Sequence, residues 1–250
     1  MTKNYLQLEF GSGLFFDYSK DEKQGYEKHT STKGNVSYRK YYKDGVSGVL
    51  ESVSIYEGKF GNQISMNIKN GDDVYYVPID IADQKGNVDT YAESLIKFLP
   101  QLEKGMNVSV RGYNFTPEGE KYAKIGVSIS VDGEKLKSQM TNAYINKEGT
   151  LVNGDIPALT WKKDALGKNK PTAVSQEAKN DYLLEVLKVQ TDRLKWLQGE
   201  STKTPTAQPA PKANTPTNVE TKLPTMSASE AFEAIPSGEI SKNDFDPLPF

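Results

Sequence analysis

The chain has 250 residues, contains no cysteine and only one histidine, and carries a formal net charge of −2. The lack of cysteine excludes disulfides and thiolate metal sites and favours a reducing compartment, so we expect a cytoplasmic protein. No apolar run reaches the ~18 residues of a membrane span, and no apolar signal region opens the chain. Residues 199–250 hold seven acidic and four basic side chains, which leaves residues 1–198 with a charge of +1. A nucleic-acid-binding surface on such a body has to be a local patch.

The first thirty residues are charged and rich in turn-forming residues. Gly11-Ser12-Gly13 is not a phosphate-binding loop, because the Lys-Ser/Thr pair of that motif does not follow it. We therefore interpret it as a turn. Residues 17–32 are polar, so we expect a loop without regular structure there. His29 lies in this charged loop, and we assign it no role.

Tyrosines and cations mix over residues 33–43, a stretch without any acidic residue. If the stretch is a strand, both of its faces combine rings with cations, which predicts an edge strand or an arm. Single-stranded nucleic acid binding requires this combination, because rings stack on bases while cations follow the phosphates. The alternative is an edge strand that lysines keep soluble. The candidate residues are Tyr38, Arg39, Lys40, Tyr41, Tyr42 and Lys43.

Apolar residues recur with a period of two over residues 46–131. Val49, Val53 and Ile55 share one face of the first run, and two further runs, a short helix over 91–99 and two final runs follow. Three strands, a helix and two strands is the element order of an OB fold. We therefore expect a mainly β chain with an OB-fold-like five-stranded barrel, an added C-terminal helix and a disordered tail. A small β-sandwich is the alternative.

Further rings and cations lie on the outward sides of these strands or in the turns. In OB folds the nucleic acid crosses the sheet face and the flanking loops, so these clusters are candidates for the same surface. Each cluster alone is also typical of an ordinary protein surface. The additional candidate residues are Lys59, Phe60, Arg111, Tyr113, Phe115, Tyr122, Lys124, Trp161 and Lys162.

A second helix is predicted after a polar connector at 165–174. Ser175 is its expected N-cap and Gly199 its expected end. Its apolar stripes make one wide face, so we expect it to pack on its own domain, with weak self-association through residues 175–198 as an alternative. The stripes consist of Tyr182, Val186, Val189 and Trp196, and of Leu183, Leu187, Leu194 and Leu197.

The pattern divides the chain into four parts. Residues 1–165 are the predicted nucleic-acid-binding domain, and residues 166–198 the helix packed on it. Residues 199–243 are rich in Pro and Thr and have few large apolar groups, so they cannot bury enough surface to offset ordering entropy, and we expect a disordered linker. Residues 244–250 are the predicted docking tip.

The tip combines acids, prolines and aromatic rings. It resembles the end of bacterial and phage single-stranded DNA-binding proteins, which finish in an acidic run followed by Ile-Pro-Phe or a close variant. Asp244 and Asp246 stand for the acidic run, which Phe245 interrupts. Leu248-Pro249-Phe250 stands for the apolar end, with Leu in place of Ile. A partner pocket can bury the final ring and pair the terminal carboxylate with a cation.

The resemblance implies an OB-fold protein that coats single-stranded DNA during replication, recombination or repair, in the bacterial cytoplasm if it is phage-encoded. It also implies that the tip recruits other replication or recombination proteins. We expect no enzyme, cofactor or metal, because thiol, zinc and histidine-triad chemistry lack their residues. The alternatives are a structural or adaptor protein whose β domain mediates assembly, and a metal nuclease that uses Asp80 and Asp83.

The charges and rings of the tip make a crude mimic of a short nucleic acid. A flexible linker of about 45 residues spans roughly 35–40 Å, so the tip can reach the DNA face of its own body. We predict that deleting residues 244–250 tightens DNA binding, most at low salt where charges are least screened, and abolishes partner recruitment in a pull-down. Unchanged DNA affinity at low salt would contradict the self-competition, and a partner retained by Phe250→Ala would contradict the docking.

Overall fold

The computed structural model describes residues 2–58 and 61–195 of a mainly β protein. Lys59, Phe60, the linker and the predicted docking tip lie outside the described residues. Two helices, α1 (Thr90–Ile96) and α2 (Ala173–Leu194), accompany a short 3-10 turn at Leu99–Gln101. The strands are β1 (Thr2–Tyr5), β2 (Gln7–Leu8), β3 (Phe15–Ser19), β4 (Glu27–Thr30), β5 (Val36–Tyr42), β6 (Val46–Gly58), β7 (Gly61–Asn70), β8 (Asp73–Asp80), β9 (Asn107–Phe115), β10 (Lys124–Val131), β11 (Glu134–Lys135), β12 (Tyr144–Ile145), β13 (Leu151–Val152), β14 (Trp161–Lys163) and β15 (Asn169–Pro171).

The largest sheet has seven strands in the order β1-β8-β7-β6-β9-β10-β11. Strands β6, β7 and β8 form an antiparallel meander, α1 follows, and β9 returns to pair with the first half of β6. The predicted element order of three strands, a helix and two strands is thus confirmed. Strand β1 adds to the outer edge of β8 in parallel.

Helix α1 packs against β8 and β10, which do not pair with each other anywhere in the described residues. Its apolar side chains enter the core and are at most 2% exposed. Ser94 Oγ accepts a hydrogen bond from Val127 N (2.9 Å) and donates one to Val127 O (3.1 Å), which satisfies the free edge of β10. Pro78 lies in the stretch of β8 that β1 does not cover, and it has no backbone N–H to leave unpaired.

A register shift between Leu50 and Ser52 corrects the prediction for β6. Leu50 and Val53 are fully buried, whereas Val49 and Ile55 are 42% and 44% exposed. The prediction that Val49 shares a face with Val53 and Ile55 is therefore wrong, whereas Val53 and Ile55 do share a face, opposite the buried Met66 and Ile64. A β-bulge places one extra residue in the strand and reverses the alternation of its side chains, which periodicity alone does not show.

A second sheet has four strands in the order β2-β3-β5-β4. Two expectations fail here, because residues 17–32 contribute to β3 and β4, and because β5 is an inner strand instead of an edge strand. Phe15 on β3 joins the main core, and the ring of Tyr42 on β5 meets that of Tyr75 on β8 edge-to-face at 5.7 Å. The aromatic residues of this segment thus tie the second sheet to the first.

Helix α2 docks on the body through one apolar stripe. Leu183 and Leu187 are buried in the main core, while Val189 is 58% exposed, so the predicted stripe that included Val189 is wrong at this position. The helix starts earlier than expected, because Thr172 caps it and accepts a hydrogen bond from Ser175 N. No helix within the described residues is long and apolar enough to cross a membrane.

An ion-pair triad joins the two helices. Glu93 on α1 contacts Lys97 Nζ at 2.8 Å and Lys179 Nζ on α2 at 2.7 Å, with all three side chains at most 20% exposed. Burial raises the pKa of the Glu93 carboxyl, but the two ammonium groups outweigh burial and hold the pKa below its usual value of 4.5. A depressed carboxyl pKa stabilises the fold above its unfolded-state value, and this contribution is lost as the pH falls through the folded-state pKa.

We predict that Lys179→Met lowers the free energy of unfolding at pH 7 by about 1.5–3 kcal/mol, the worth of a hydrogen bond to a charged group. The loss should shrink as the pH falls from 4.5 through the depressed pKa of Glu93, because protonation of this carboxyl removes the same contact from the parent. Urea unfolding at pH 7 and pH 3 measures both values. Lys188→Met, at an exposed position of the same helix, is the control and should stay within about 0.5 kcal/mol of the parent. An equal loss from Lys179→Met at both pH values would contradict the ion-pair account.

Candidate nucleic-acid interface

The outer face of β9 and β10 brings predicted site residues together. Val108 and Val110 of β9 point into the core, so the residues that alternate with them, among them Arg111, Tyr113 and Phe115, point outward. In the antiparallel register Arg111 lies opposite Ser128, and Phe115 lies opposite Lys124. We call this surface the β9–β10 groove, an open depression of 830 Å³. Its lining residues are Thr90, Arg111, Tyr113, Phe115, Ala123, Lys124, Ile125, Ser128 and Lys135.

Two aromatic rings stand side by side in the groove. The ring centroids of Tyr113 and Phe115 are 5.9 Å apart with a tilt of 56°, and Phe115 is 53% exposed. Gly126 lies opposite Tyr113, and a Cβ atom there would come within 2.7 Å of Tyr113 Oη and of Ser94 Oγ. The glycine therefore leaves the space in which the Tyr113 ring lies across β10.

The groove lining contains three cations and no acidic side chain. Arg111 and Lys135 make no ion pair within the part of the chain that the structure describes. Lys124 Nζ pairs with Glu120 at 2.8 Å, but both side chains are more than a third exposed, and such pairs contribute little. The groove can thus offer ring faces to flat groups and positive charge to phosphates.

The turn between β9 and β10 extends this surface. Tyr122 is 59% exposed, and Lys121 Nζ lies 5.5 Å from its ring centroid. Tyr122 therefore lies in the turn that precedes Lys124, the first residue of β10 and part of the groove lining. Lys59 and Phe60 lie outside the described residues.

Two of the predicted site residues on β5, Arg39 and Tyr41, are partly buried and contact other residues of the fold. Arg39 Nη1 pairs with Glu9 Oε1 at 2.7 Å, and its guanidinium carbon lies 4.4 Å from the Phe16 ring centroid. Tyr41 Oη donates to the same Glu9 oxygen at 2.9 Å. Burial raises the pKa of the Glu9 carboxyl, yet hydrogen bonds from Ser12 and Tyr41 and the charge of Arg39 together bring it below its usual value. Through Glu9, Arg39 and Tyr41 thus hold the loop after β2 against β5.

The other β5 candidates differ in exposure. Tyr42 is half-buried against Tyr75, and burial raises the pKa of its hydroxyl above the ordinary value. Lys40 is exposed, with its Nζ 5.6 Å from the Tyr42 ring, and Tyr38 is partly exposed. Lys43 is exposed and lies 3.9 Å from Glu27. Lys40, Tyr38 and Lys43 remain accessible on the second sheet.

Trp161 and Lys162 lie on a separate hairpin of β14 and β15. Trp161 is 46% exposed, and Lys162 stands opposite Lys170, which pairs with Asp164 at 2.8 Å. A hydrogen bond of 3.1 Å from the Thr160 N–H to Ser175 Oγ ties this hairpin to the start of α2. The hairpin is therefore a basic, partly aromatic surface of its own.

Sequence reasoning missed Lys135 in the groove and three tyrosines on the outer face of the seven-stranded sheet. Tyr5 and Tyr56 are 63% and 61% exposed, and Tyr76 is stacked on Tyr5. The sequence does carry a signal for Tyr76, because it alternates with the apolar residues Val77 and Ile79 along β8 and therefore points to the other face. No sequence signal pairs β1 with β8, so the contact with Tyr5 was not predictable.

Within the described residues no three His, Asp or Glu side chains are grouped to hold a metal ion. Asp80 accepts a hydrogen bond from Gln63 Nε2 at 2.6 Å, and Asp83 accepts the backbone N–H groups of Lys85 and Asn87. Comparison with protein-family models, curated proteins and solved structures gives no significant match.

We predict that two arginines of the candidate surfaces affect stability differently. Arg39→Met should lower the free energy of unfolding by about 1–3 kcal/mol, because Glu9 is left partly buried without its cation. Arg111→Met is the matched control and should change it by less than about 0.5 kcal/mol, since the Arg111 side chain is exposed. Urea unfolding of both variants tests this, and equal effects would refute the assignment of Arg39 to the fold.

Proposed function

We propose that the protein binds single-stranded DNA without sequence preference and protects it during replication, recombination or repair, as a non-enzymatic protein of the bacterial cytoplasm. The carrying observation is the β9–β10 groove, where Tyr113 and Phe115 stand beside Arg111 and Lys135 and no acidic side chain lines the surface. Rings that stack on bases beside cations that meet phosphates are the recurring chemistry of such proteins.

The strand order supports an OB-fold-like reading of the body. In the order β8-β7-β6-β9-β10, with α1 between β8 and β9, we infer a partly open five-stranded barrel in which α1 fills the gap between β8 and β10. The groove then lies on the outside of the last two barrel strands. The turn that carries Tyr122 corresponds to a loop that flanks the nucleic acid in OB folds.

Single strands are favoured over duplex by two properties of this surface. The ring faces in the groove can stack only on bases whose own faces are accessible, as they are in a single strand. Residues 1–198 carry only +1, whereas duplex binding without sequence preference is dominated by charge. The preference for DNA over RNA rests on the resemblance of the tip.

Recruitment of partners is the second part of the proposal. We place it in Asp244, Phe245, Asp246 and Leu248-Pro249-Phe250, on the resemblance of these residues to the tips of bacterial and phage single-stranded DNA-binding proteins. Replication or recombination proteins are the expected partners. The tip is also expected to compete with DNA for the groove.

We predict that labelled oligo-dT binds the protein more tightly than a duplex of the same length in fluorescence anisotropy. Tyr113→Ala should weaken oligo-dT binding by the ~1–3 kcal/mol of one stacked base. Arg111→Met should flatten the log–log salt slope by about 0.7, the value for one phosphate on a single strand. Tyr18→Ala is the matched control, because Tyr18 is a 42% exposed tyrosine of the second sheet.

Three results of this binding experiment would contradict the proposed function. Equal affinity for duplex and oligo-dT would overturn single-strand binding. No binding of either at low salt would favour the structural or adaptor alternative. Mg²⁺-dependent cleavage of the oligonucleotide would overturn the non-enzymatic assignment.

A further inference from the structure

A stacked pair of tyrosines lies at the far side of the seven-stranded sheet from the β9–β10 groove. Tyr5 on β1 and Tyr76 on β8 are direct partners in the parallel register, and their ring centroids are 4.6 Å apart with an angle of only 10°. Tyr5 is 63% exposed. Tyrosine rings stacked on each other and open to solvent leave an outer face that a further flat ring can cover.

Cations form a second row beside these rings. The register places Tyr5, Tyr76 and Asn67 in one row across β1, β8 and β7. Lys3 and Lys69 occupy the next row on the same face. Two residues along a strand separate the rows by about 6.6 Å. Both lysines are exposed, and neither makes an ion pair within the described residues.

Four acidic residues lie near the two rows. Asp72 in the turn before β8 and Asp73 at the start of β8 lie on the side of the lysine row that faces away from the tyrosines. Glu51 lies in the bulge of β6, between Val49, the partner of Lys69, and Ser52, the partner of Asn67. Asp80 is four residues beyond Tyr76 and is held by Gln63. The rows of rings and lysines therefore repeat the combination of aromatic faces and positive charge found in the β9–β10 groove.

We propose that Tyr5 and Tyr76 form a second base-stacking step, with Lys3 and Lys69 contacting phosphates of the same strand. A single strand held in the β9–β10 groove then continues over the outer face of the sheet to β1. The inference rests on the proposed function and extends it to a surface that includes the N-terminal strand, which lies outside the five-stranded barrel unit. Three strand spacings separate β9 from β8, or about 14 Å across the sheet, and six residues, or about 20 Å, separate Arg111 from the tyrosine row along the strands.

The two surfaces require oligonucleotides of different length, and this difference makes the proposal testable. An oligonucleotide that just fills the groove does not reach Tyr5, whereas a longer one covers both surfaces. A series of oligo-dT from about 4 to about 16 nucleotides brackets the range known for one OB fold. The affinity gain on lengthening the oligonucleotide then reports the second step separately from the groove.

The experiment measures oligo-dT affinity and the number of nucleotides occluded per protein on poly-dT. For Tyr5→Ala we expect parental affinity for the shortest oligonucleotide that binds, roughly 5- to 150-fold weaker binding of the longest, and fewer occluded nucleotides. Tyr5→Phe keeps the ring and should match the parent in all three measurements. Tyr18→Ala controls for loss of an exposed tyrosine elsewhere.

The lysine row is tested independently of the ring stack. Lys3→Met with Lys69→Met should flatten the salt slope of the longest oligonucleotide by about 1.4, or about 0.7 for each phosphate, and leave the slope of the shortest unchanged. This readout remains decisive if Tyr5→Ala is poorly folded. Parental long-oligonucleotide affinity, site size and salt slope in folded variants would overturn the second step while the groove stands. Absence of oligo-dT binding by the parent would overturn the proposed function itself.

Discussion

The structure depends on α1 filling the space between β8 and β10. The side chains of Tyr91, Ala92, Leu95 and Ile96 are at most 2% exposed, and they complete a core that the sheet alone leaves open on one side. Ser94 supplies a donor and an acceptor to the backbone of Val127, on the edge of β10 that β9 does not pair. The free edge of β10 is consequently covered by a helix, while the outer face of β9 and β10 stays open to solvent as the groove.

Residues of the same type serve the fold in one place and remain available in another. Arg39 is stacked on Phe16 and paired with Glu9, whereas Arg111 projects from the groove without an ion-pair partner in the described residues. Tyr42 is half-buried against Tyr75, whereas Tyr5 is stacked with an exposed face. In the sequence, the residues that stabilise the fold and the residues that remain accessible look alike, because both are aromatic rings beside cations. Only the tertiary contacts distinguish them.

Sequence periodicity predicts the meander, the helix and the last two strands because alternation is a local property of each strand. It fails at Val49, where a β-bulge reverses the alternation, and in the first thirty residues, where strands are held by partners distant in sequence. The groove was partly predictable, since Arg111, Tyr113 and Phe115 share one parity. Lys135 was not, because its place beside them depends on the turn after β10.

The modest charge of the body makes stacking the dominant source of affinity in this proposal. With three cations in the groove, one of them in an exposed pair with Glu120, few phosphates are neutralised and the salt-dependent part of binding is small. Each stacked ring contributes ~1–3 kcal/mol, and stacking tolerates any base because every base has a π-face. A protein that binds in this way gains affinity by adding rings along the strand, and this is what Tyr5 and Tyr76 would do across the sheet.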